Sequence, residues 1–287
     1  MSMSFCIKTN NKTILKYIIE NFKNSTPKNF YLSKNKFKIY NNVIFHYIGE
    51  DITTFYSYIS SIIQHVILNF YEEKILYNFI NFEYFYFSDY EKKEILNIAK
   101  HILEENENLY NTRKNILYHL CYSYVKSNKT MVLDGFVNFR IREYSIILSE
   151  IVSDATSEFT IQKEYDEFVE LLKTYIDTSS SKSKLVHLIY FNDDSLLLDE
   201  NKNIISIDKN ISTAKYLSDI TFSSNDYCLN TLLNLIPKKI IIHLLNTDGN
   251  YEFIDTLCAI FGKRVFICLD CNICNLYKTN DSFKSTT

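Results

Sequence analysis

Three cysteines near the end of the chain have the spacing of metal ligands. In the stretch RVFICLDCNICNLY, two residues separate Cys268 from Cys271, and two more separate Cys271 from Cys274. A C-x2-C pair supplies two of the four thiolate or imidazole ligands that zinc prefers in a tetrahedral site. Bacterial iron–sulfur proteins use the longer run C-x2-C-x2-C-x3-C-P, but Lys278 stands where its fourth cysteine would be. The triplet therefore predicts a zinc ion or an iron–sulfur cluster if a remote residue supplies the fourth ligand.

His243 is the candidate for that fourth ligand. It lies four residues into the predicted strand KIIIHLL, in the part KIIIH, just as Cys268 lies four residues into the predicted strand RVFICL, in the part RVFIC. If the two strands are parallel neighbours, both side chains reach the carboxyl edge of one sheet, where the sites of α/β domains gather. Two alternatives stay open. Either the cysteines are reduced thiols and His243 is a structural histidine, or Cys271 and Cys274 form a redox pair.

Arg140 is a second candidate. Two of the four arginines in this lysine-rich chain, Arg140 and Arg142, fall in DGFVNFRIRE. A guanidinium can hold a carboxylate or phosphate through two parallel hydrogen bonds, which lysine cannot. On a helix, Arg140 flanks the apolar stripe and Arg142 points to solvent. We therefore expect Arg140 to form an ion pair, with Glu143 or a glutamate of the 164–170 run, or to bind an anion.

Nucleophilic catalysis has little support in the sequence. The chain has no G-x-S-x-G, H-E-x-x-H, P-loop or G-x-G-x-x-G motif, and its four glycines cannot compose a phosphate-binding loop. The remaining histidines are separated from one another and lie among apolar residues, so each is expected to be structural: His46, His65, His101, His119 and His187. The sequence predicts no catalytic residue and favours a protein that is not an enzyme.

The charge distribution limits the partners. The net charge of −3 gives no overall signal for nucleic-acid binding. However, residues 1–49 carry eight lysines and one acid, whereas residues 50–110 carry eleven acids and four lysines. The favoured interpretation is that these segments dock together or are simply solvated. That interpretation argues against a nucleic-acid partner. The alternative is that the lysine-rich region binds an anion or nucleic acid.

The cellular compartment is predicted from the cysteines and the absence of targeting signals. MSMSFCIKTNNK lacks the apolar core of a signal peptide, and the most apolar window, 55–71, is too polar and short for a membrane span. Seven cysteines, an odd number, argue against a disulfide framework and for a reducing compartment. We therefore expect a cytoplasmic protein.

The periodicity predicts an α/β (α+β) protein in three parts. These are a strand–helix–hairpin unit over residues 1–50, a helical region over 51–178 and a mixed α/β sheet domain over 185–287. The hairpin turn is expected at Asn41–Asn42. Helices are expected over 52–80, 89–107, 111–126, 134–176 as one bent helix or two in tandem, 212–220 and 226–236. A capping box formed by Ser88 and Glu91 is expected to start the 89–107 helix, and Asp134 is expected to cap the 134–176 helix.

Three stretches resemble one family. LDGFVNFRIREY, EYDEFVELLKTYI and PKKIIIH are similar to the YtxC-like sporulation proteins of endospore-forming bacteria, the two helical stretches being the specific part. The resemblance implies a cytoplasmic protein linked to endospore formation, and it implies no catalytic residue. The leading hypothesis is thus a non-enzymatic factor that binds a protein partner through its helical region. The alternatives are a metal-binding or redox protein and an anion-binding or nucleic-acid-binding protein.

Overall fold

The computed structural model describes residues 2–24, 28–37, 40–105, 107–192, 194–205, 223–245, 251–268 and 270–279. These residues form ten α-helices and two four-stranded mixed sheets, which confirms the predicted α+β class. The chain divides into two compact units, Met1–Gln162 and Lys163–Thr287. The division into three parts that the sequence predicts stays a prediction.

The first unit contains a sheet in the order β2-β3-β1-β4. Its strands are β1 (Ser2–Thr9), β2 (Phe30–Phe37), β3 (Tyr40–Ile48) and β4 (Thr130–Val132), and β1 is parallel to β4 and antiparallel to β3. Helix α1 (Lys12–Asn24) follows β1, as expected. The turn predicted at Asn41–Asn42 is wrong, because both residues lie inside β3 and pair with Thr9 and Lys8 of β1. Asparagine is abundant throughout this chain, so its turn preference is a weak signal here.

Helices complete the first unit. They are α2 (Ile52–Phe70), α3 (Glu72–Glu83), α4 (Asp89–Glu105), α5 (Glu107–Ser127), α6 (Leu133–Arg140) and α7 (Arg142–Thr178), of which α7 continues into the second unit. The predicted 52–80 helix is divided at Tyr71. The capping box is confirmed, because Glu91 accepts from the backbone N–H of Ser88 at 2.7 Å while the Ser88 hydroxyl accepts from that of Glu91 at 3.3 Å.

The predicted helix over 134–176 has a different start. Val132, not Asp134, occupies the N-cap of α6, and Asp134 instead accepts a 2.6 Å hydrogen bond from the Tyr71 hydroxyl. The helix breaks once, at Ile141, whose dihedral angles of −107° and 36° are not helical. Beyond that residue α7 runs without interruption for 37 residues. Of the two expected forms, the structure therefore has two helices in tandem, a short one and a long one.

The second unit contains a sheet in the order β6-β5-β7-β8. Its strands are β5 (Leu185–Phe191), β6 (Asp194–Leu198), β7 (Lys239–Leu244) and β8 (Val265–Cys268), and its other helices are α8 (Ser224–Leu235), α9 (Glu252–Phe261) and α10 (Asn272–Thr279). The pairs β5–β7 and β7–β8 are parallel, and β6 is antiparallel to β5. The sequence also predicts a third strand after β5 and β6, IISID over 204–208. Of it, Ile204 bridges Leu198, and residues 206–208 lie outside the described ranges, as does the predicted 212–220 helix.

Of the two central strands of this sheet, β5 is buried over five of its seven residues and β7 over three of its six. Runs such as LVHLIYF and KIIIHL carry β-branched and aliphatic residues without alternation, as is typical of parallel strands covered on both faces. One histidine interrupts each run, and both histidines are buried with the strand around them. Throughout the ranges that the structure describes, no helix combines the length and apolar character needed to cross a bilayer.

Candidate metal centre

The ends of two parallel strands bring His243 and Cys268 side by side. His243 lies near the end of β7, Cys268 is the last residue of β8, and the two are register partners. Parallel strands end at the same edge of a sheet, so both side chains lie at its carboxyl edge. This is the placement expected from the matching positions of the two residues in KIIIH and RVFIC.

Helix α10 brings the other two cysteines to the same edge. Cys271 directly precedes α10, and its carbonyl accepts a 3.0 Å hydrogen bond from the backbone N–H of Asn275. Cys274 follows in the first turn, three residues later, and residues at this spacing share a helix face. Cys274 is fully buried, whereas Cys268 and Cys271 are partly buried.

The four side chains converge on one point. The ligand atoms of His243, Cys268, Cys271 and Cys274 all lie within 4.8 Å of one another. The Nδ1 atom of His243 is 3.3 Å from the sulfur of Cys274 and 3.5 Å from that of Cys271. The sulfur of Cys274 is 3.7 Å from that of Cys271 and 3.9 Å from that of Cys268.

These separations match the edges of a coordination tetrahedron. With Zn–S bonds of about 2.3 Å and Zn–N bonds of about 2.05 Å, tetrahedral angles place two sulfurs about 3.8 Å apart and a sulfur and nitrogen about 3.5 Å apart. The observed sulfur–sulfur distances of 3.7 and 3.9 Å and sulfur–nitrogen distances of 3.3 and 3.5 Å lie within about 0.2 Å of those values. The sulfurs are too far apart for a disulfide bond, and all seven cysteines are free thiols.

The protonation of the four groups follows from their surroundings. Burial lowers the pKa of His243 to about 4, helped by neighbouring His187, so its imidazole is neutral at neutral pH. Burial raises the pKa of Cys274 to about 12 and also raises the pKa of Cys268. Burial acts in the same direction on Cys271, but hydrogen bonds from the Cys274 backbone and the Cys268 thiol outweigh it and lower the pKa of Cys271.

His187 belongs to the same cluster, although the sequence was interpreted otherwise. Its Nδ1 atom lies 2.9 Å from Nε2 of His243, and the two rings meet edge to edge, with centroids 5.2 Å apart and planes inclined by 26°. The sequence separates His187 from His46, His65, His101 and His119, but it did not indicate the contact with His243. Burial, with Lys202 and Lys239 nearby, lowers the pKa of His187 and favours its neutral form. The one signal in the sequence was a histidine inside each of two apolar strands.

Arg140 lies away from any such cluster. It ends α6 and is exposed, and the ion pairs within the described ranges do not include it. Glu143, one of its expected partners, is also exposed. An anion site or ion pair at Arg140 stays a prediction.

The buried arginine of the first unit is Arg113, which sequence reasoning missed. Its guanidinium donates to Glu72, which also accepts from the hydroxyl of fully buried Tyr144. The composition argument applied to Arg140 holds equally for Arg113, since both are arginines in a chain that otherwise uses lysine. This network connects α3, α5 and α7, and we interpret it as structural.

Comparison with known proteins gives the family. The model of the YtxC-like family matches residues 57–266. The chain is also 21% identical over 201 residues to the Bacillus subtilis (strain 168) protein named "Uncharacterized protein YtxC", covering 68% of this chain and 70% of that protein. No solved structure matches the chain. The family match includes His187 and His243 and ends before Cys268. The geometry of the four metal ligands is therefore observed in this chain and is not a feature of the family match. The chain belongs to the YtxC-like family.

Proposed function

We propose that this YtxC-like protein binds one zinc ion through His243, Cys268, Cys271 and Cys274, and that the ion stabilises the C-terminal unit. The observation that carries the proposal is the convergence of the four ligand atoms to within 4.8 Å of one another. The ligands come from two strands and one helix, so local sequence spacing alone does not produce the cluster. A neutral imidazole with three thiols is a ligand set that zinc accepts.

The distances favour a single ion over an iron–sulfur cluster. In a [4Fe–4S] cluster each cysteine binds its own iron atom, and in a [2Fe–2S] cluster two ligands share each of two irons, so ligand atoms on different irons stand apart with the inorganic core between them. Here the sulfur of Cys274 lies 3.7 Å from that of Cys271 and 3.9 Å from that of Cys268, and both distances are close to the edge of a tetrahedron around one ion. Thiolate and imidazole together also select zinc over harder ions such as magnesium or calcium.

A site with four protein ligands favours a structural role. Catalytic zinc keeps a coordination position open for water or substrate, whereas structural zinc has all four filled by the protein. Here the ion would join β7, β8 and α10. Helix α10 has eight residues, and helices this short are marginal unless other contacts hold them. Zinc would supply that support.

The biological role that we propose is non-enzymatic. Membership of the YtxC-like family and the resemblance of its helical stretches to sporulation proteins support a cytoplasmic factor associated with endospore formation. The helical part of the first unit would bind a protein partner. A deletion in the native host should stop sporulation at a defined stage, and normal spore formation in the deletion strain would contradict this role.

Metal analysis of anaerobically purified protein tests the zinc site. We expect about one zinc per chain in the wild type after dialysis against a weak chelator, and strongly reduced retention in Cys274→Ser. Cys258→Ser is the matched control, since Cys258 lies in α9 of the same unit and outside the cluster, and it should retain zinc like the wild type. Less than about 0.1 zinc per chain in the wild type, or full retention by Cys274→Ser, would contradict the proposal.

A redox role for Cys271 and Cys274 is the second candidate. Their sulfurs are 3.7 Å apart, and the lowered pKa of Cys271 favours its reactive thiolate form. This candidate predicts that metal-free protein forms a disulfide between the two residues in a glutathione buffer of cytoplasmic potential. Peptide mapping that finds both thiols reduced under these conditions would exclude it.

A further inference from the structure

We propose that His187 is a positioning residue of the metal centre: it accepts the Nε2–H of His243 and thereby leaves Nδ1 of His243 free to bind the ion. The inference rests on the zinc-binding function proposed above and adds the atom through which His243 binds. It assigns a role to a buried histidine that is not itself a member of the ligand group.

Strand register brings the two histidines together. His187 pairs with Ile241 across the parallel β5–β7 ladder, and His243 pairs with Ile189. The histidines are therefore diagonal neighbours on one face of the sheet, two positions apart in register. Both are buried, and His243 is only 1% exposed, so water has little access to the hydrogen bond between them.

The two nitrogens of His243 face different neighbours. Nδ1 lies 3.3 and 3.5 Å from the sulfurs of Cys274 and Cys271, whereas Nε2 lies 2.9 Å from Nδ1 of His187. A neutral imidazole has one protonated nitrogen and one nitrogen with a free electron pair. If Nδ1 binds the ion, the proton must be on Nε2, and His187 must be the acceptor. The reverse arrangement would direct an N–H at the sulfurs and prevent coordination.

The hydrogen bond also explains why a second histidine is buried beside the ligands. A metal-binding histidine usually donates its other N–H to an oxygen acceptor, which fixes the tautomer and the ring orientation. Within the described ranges, the hydrogen bonds place His187 alone at Nε2 of His243. Without it, a buried N–H would lose its partner and the ring would be free to turn away from the thiols. Loss of such a partner typically weakens metal binding about 10- to 100-fold.

Three variants of the full-length chain test this role by competition with a chromogenic zinc chelator. His187→Leu removes the acceptor, and we expect its zinc affinity to fall about 10- to 100-fold. His187→Asn retains a carbonyl oxygen and should recover part of that loss. Ile189→Val is the matched control, because Ile189 is buried on the same strand directly opposite His243 but takes no part in the hydrogen bond. We expect its affinity to stay within about 3-fold of the wild type.

A second measurement uses only the wild type, so its result does not depend on whether a variant folds. Long-range ¹H–¹⁵N correlation of the zinc-loaded wild type distinguishes the two nitrogens of each histidine. We expect His243 to bind zinc through Nδ1 and to carry its proton on Nε2, with His187 unprotonated at Nδ1. A purely structural role for His187 would not fix these protonation states.

The outcomes separate this inference from the function on which it rests. Zinc binding through Nε2 of His243, or equal affinities for His187→Leu and Ile189→Val, would overturn the role of His187 and leave the zinc site intact. A wild type that binds no zinc would overturn both.

Discussion

Zinc binding to the metal-free protein should release two to three protons per ion near neutral pH. All three cysteines must lose their protons to coordinate zinc. Cys274, with a pKa of about 12, and Cys268, with a raised pKa, are both protonated in the metal-free protein. Cys271 has a lowered pKa, so it contributes at most one proton. His243, with a pKa of about 4, is already neutral and contributes none.

The same count fixes the pH dependence of affinity. Each proton released makes the logarithm of the apparent association constant rise by one per pH unit, so we expect a slope of about two to three near pH 7. Binding should therefore tighten about 10²- to 10³-fold between pH 6.5 and 7.5. An ordinary histidine with a pKa near 6.5 would steepen this dependence below about pH 6.5, whereas His243 should add nothing until the pH approaches about 4.

Calorimetry in buffers of different ionisation enthalpy measures the released protons directly. The observed binding enthalpy changes linearly with buffer ionisation enthalpy, and the slope is the number of protons. Cys268→Ser should release about one proton fewer than the wild type if it still binds. A wild-type count near zero or one would refute the reasoning, because two protonated thiols could not then have become ligands.

Two further predictions concern the first unit. Arg113→Met should lower the free energy of unfolding by about 3–5 kcal/mol, because it leaves the largely buried Glu72 side chain, 14% exposed, without its cation, whereas Tyr144→Phe should lower it by about 1.5–3 kcal/mol. Urea titration measures both, and equal stability of Arg113→Met and wild type would show that the pair is dispensable. Hydrogen bonds from Thr53 and neighbouring Thr54 lower the pKa of Asp51 at the start of α2 to about 2. The stability advantage of wild type over Asp51→Asn should thus hold above about pH 4 and vanish as the pH falls towards 2, and thermal unfolding that shows a constant difference would contradict it.

Local patterns predicted the elements of the second unit well as far as β8, but not helix α10. β7 and β8 were recognisable from KIIIH and RVFIC, and the matching positions of His243 and Cys268 anticipated their register pairing. The sequence did not show that β5 lies on the other side of β7, because the order of strands in a sheet depends on contacts between distant segments. His187 therefore stayed isolated in sequence reasoning, although it lies 2.9 Å from His243.

The first unit shows the same limit in different elements. β4 is only three residues long and exists through its pairing with β1, more than a hundred residues earlier, so no local pattern marks it. The division of the 52–80 helix at Tyr71 leaves the hydrophobic period nearly unchanged on either side. In contrast, the Ser88–Glu91 capping box is a local hydrogen-bonding motif, and it was predicted correctly.

X-ray absorption at the zinc edge of the loaded full-length chain tests the central claim most directly. The structure predicts one zinc with three sulfur neighbours at about 2.3 Å and one nitrogen neighbour at about 2.0–2.1 Å, and Cys274→Ser should lose one of the sulfurs. A first shell made only of nitrogen and oxygen, or a second metal atom near the first, would contradict a single ion held by His243 and the three cysteines.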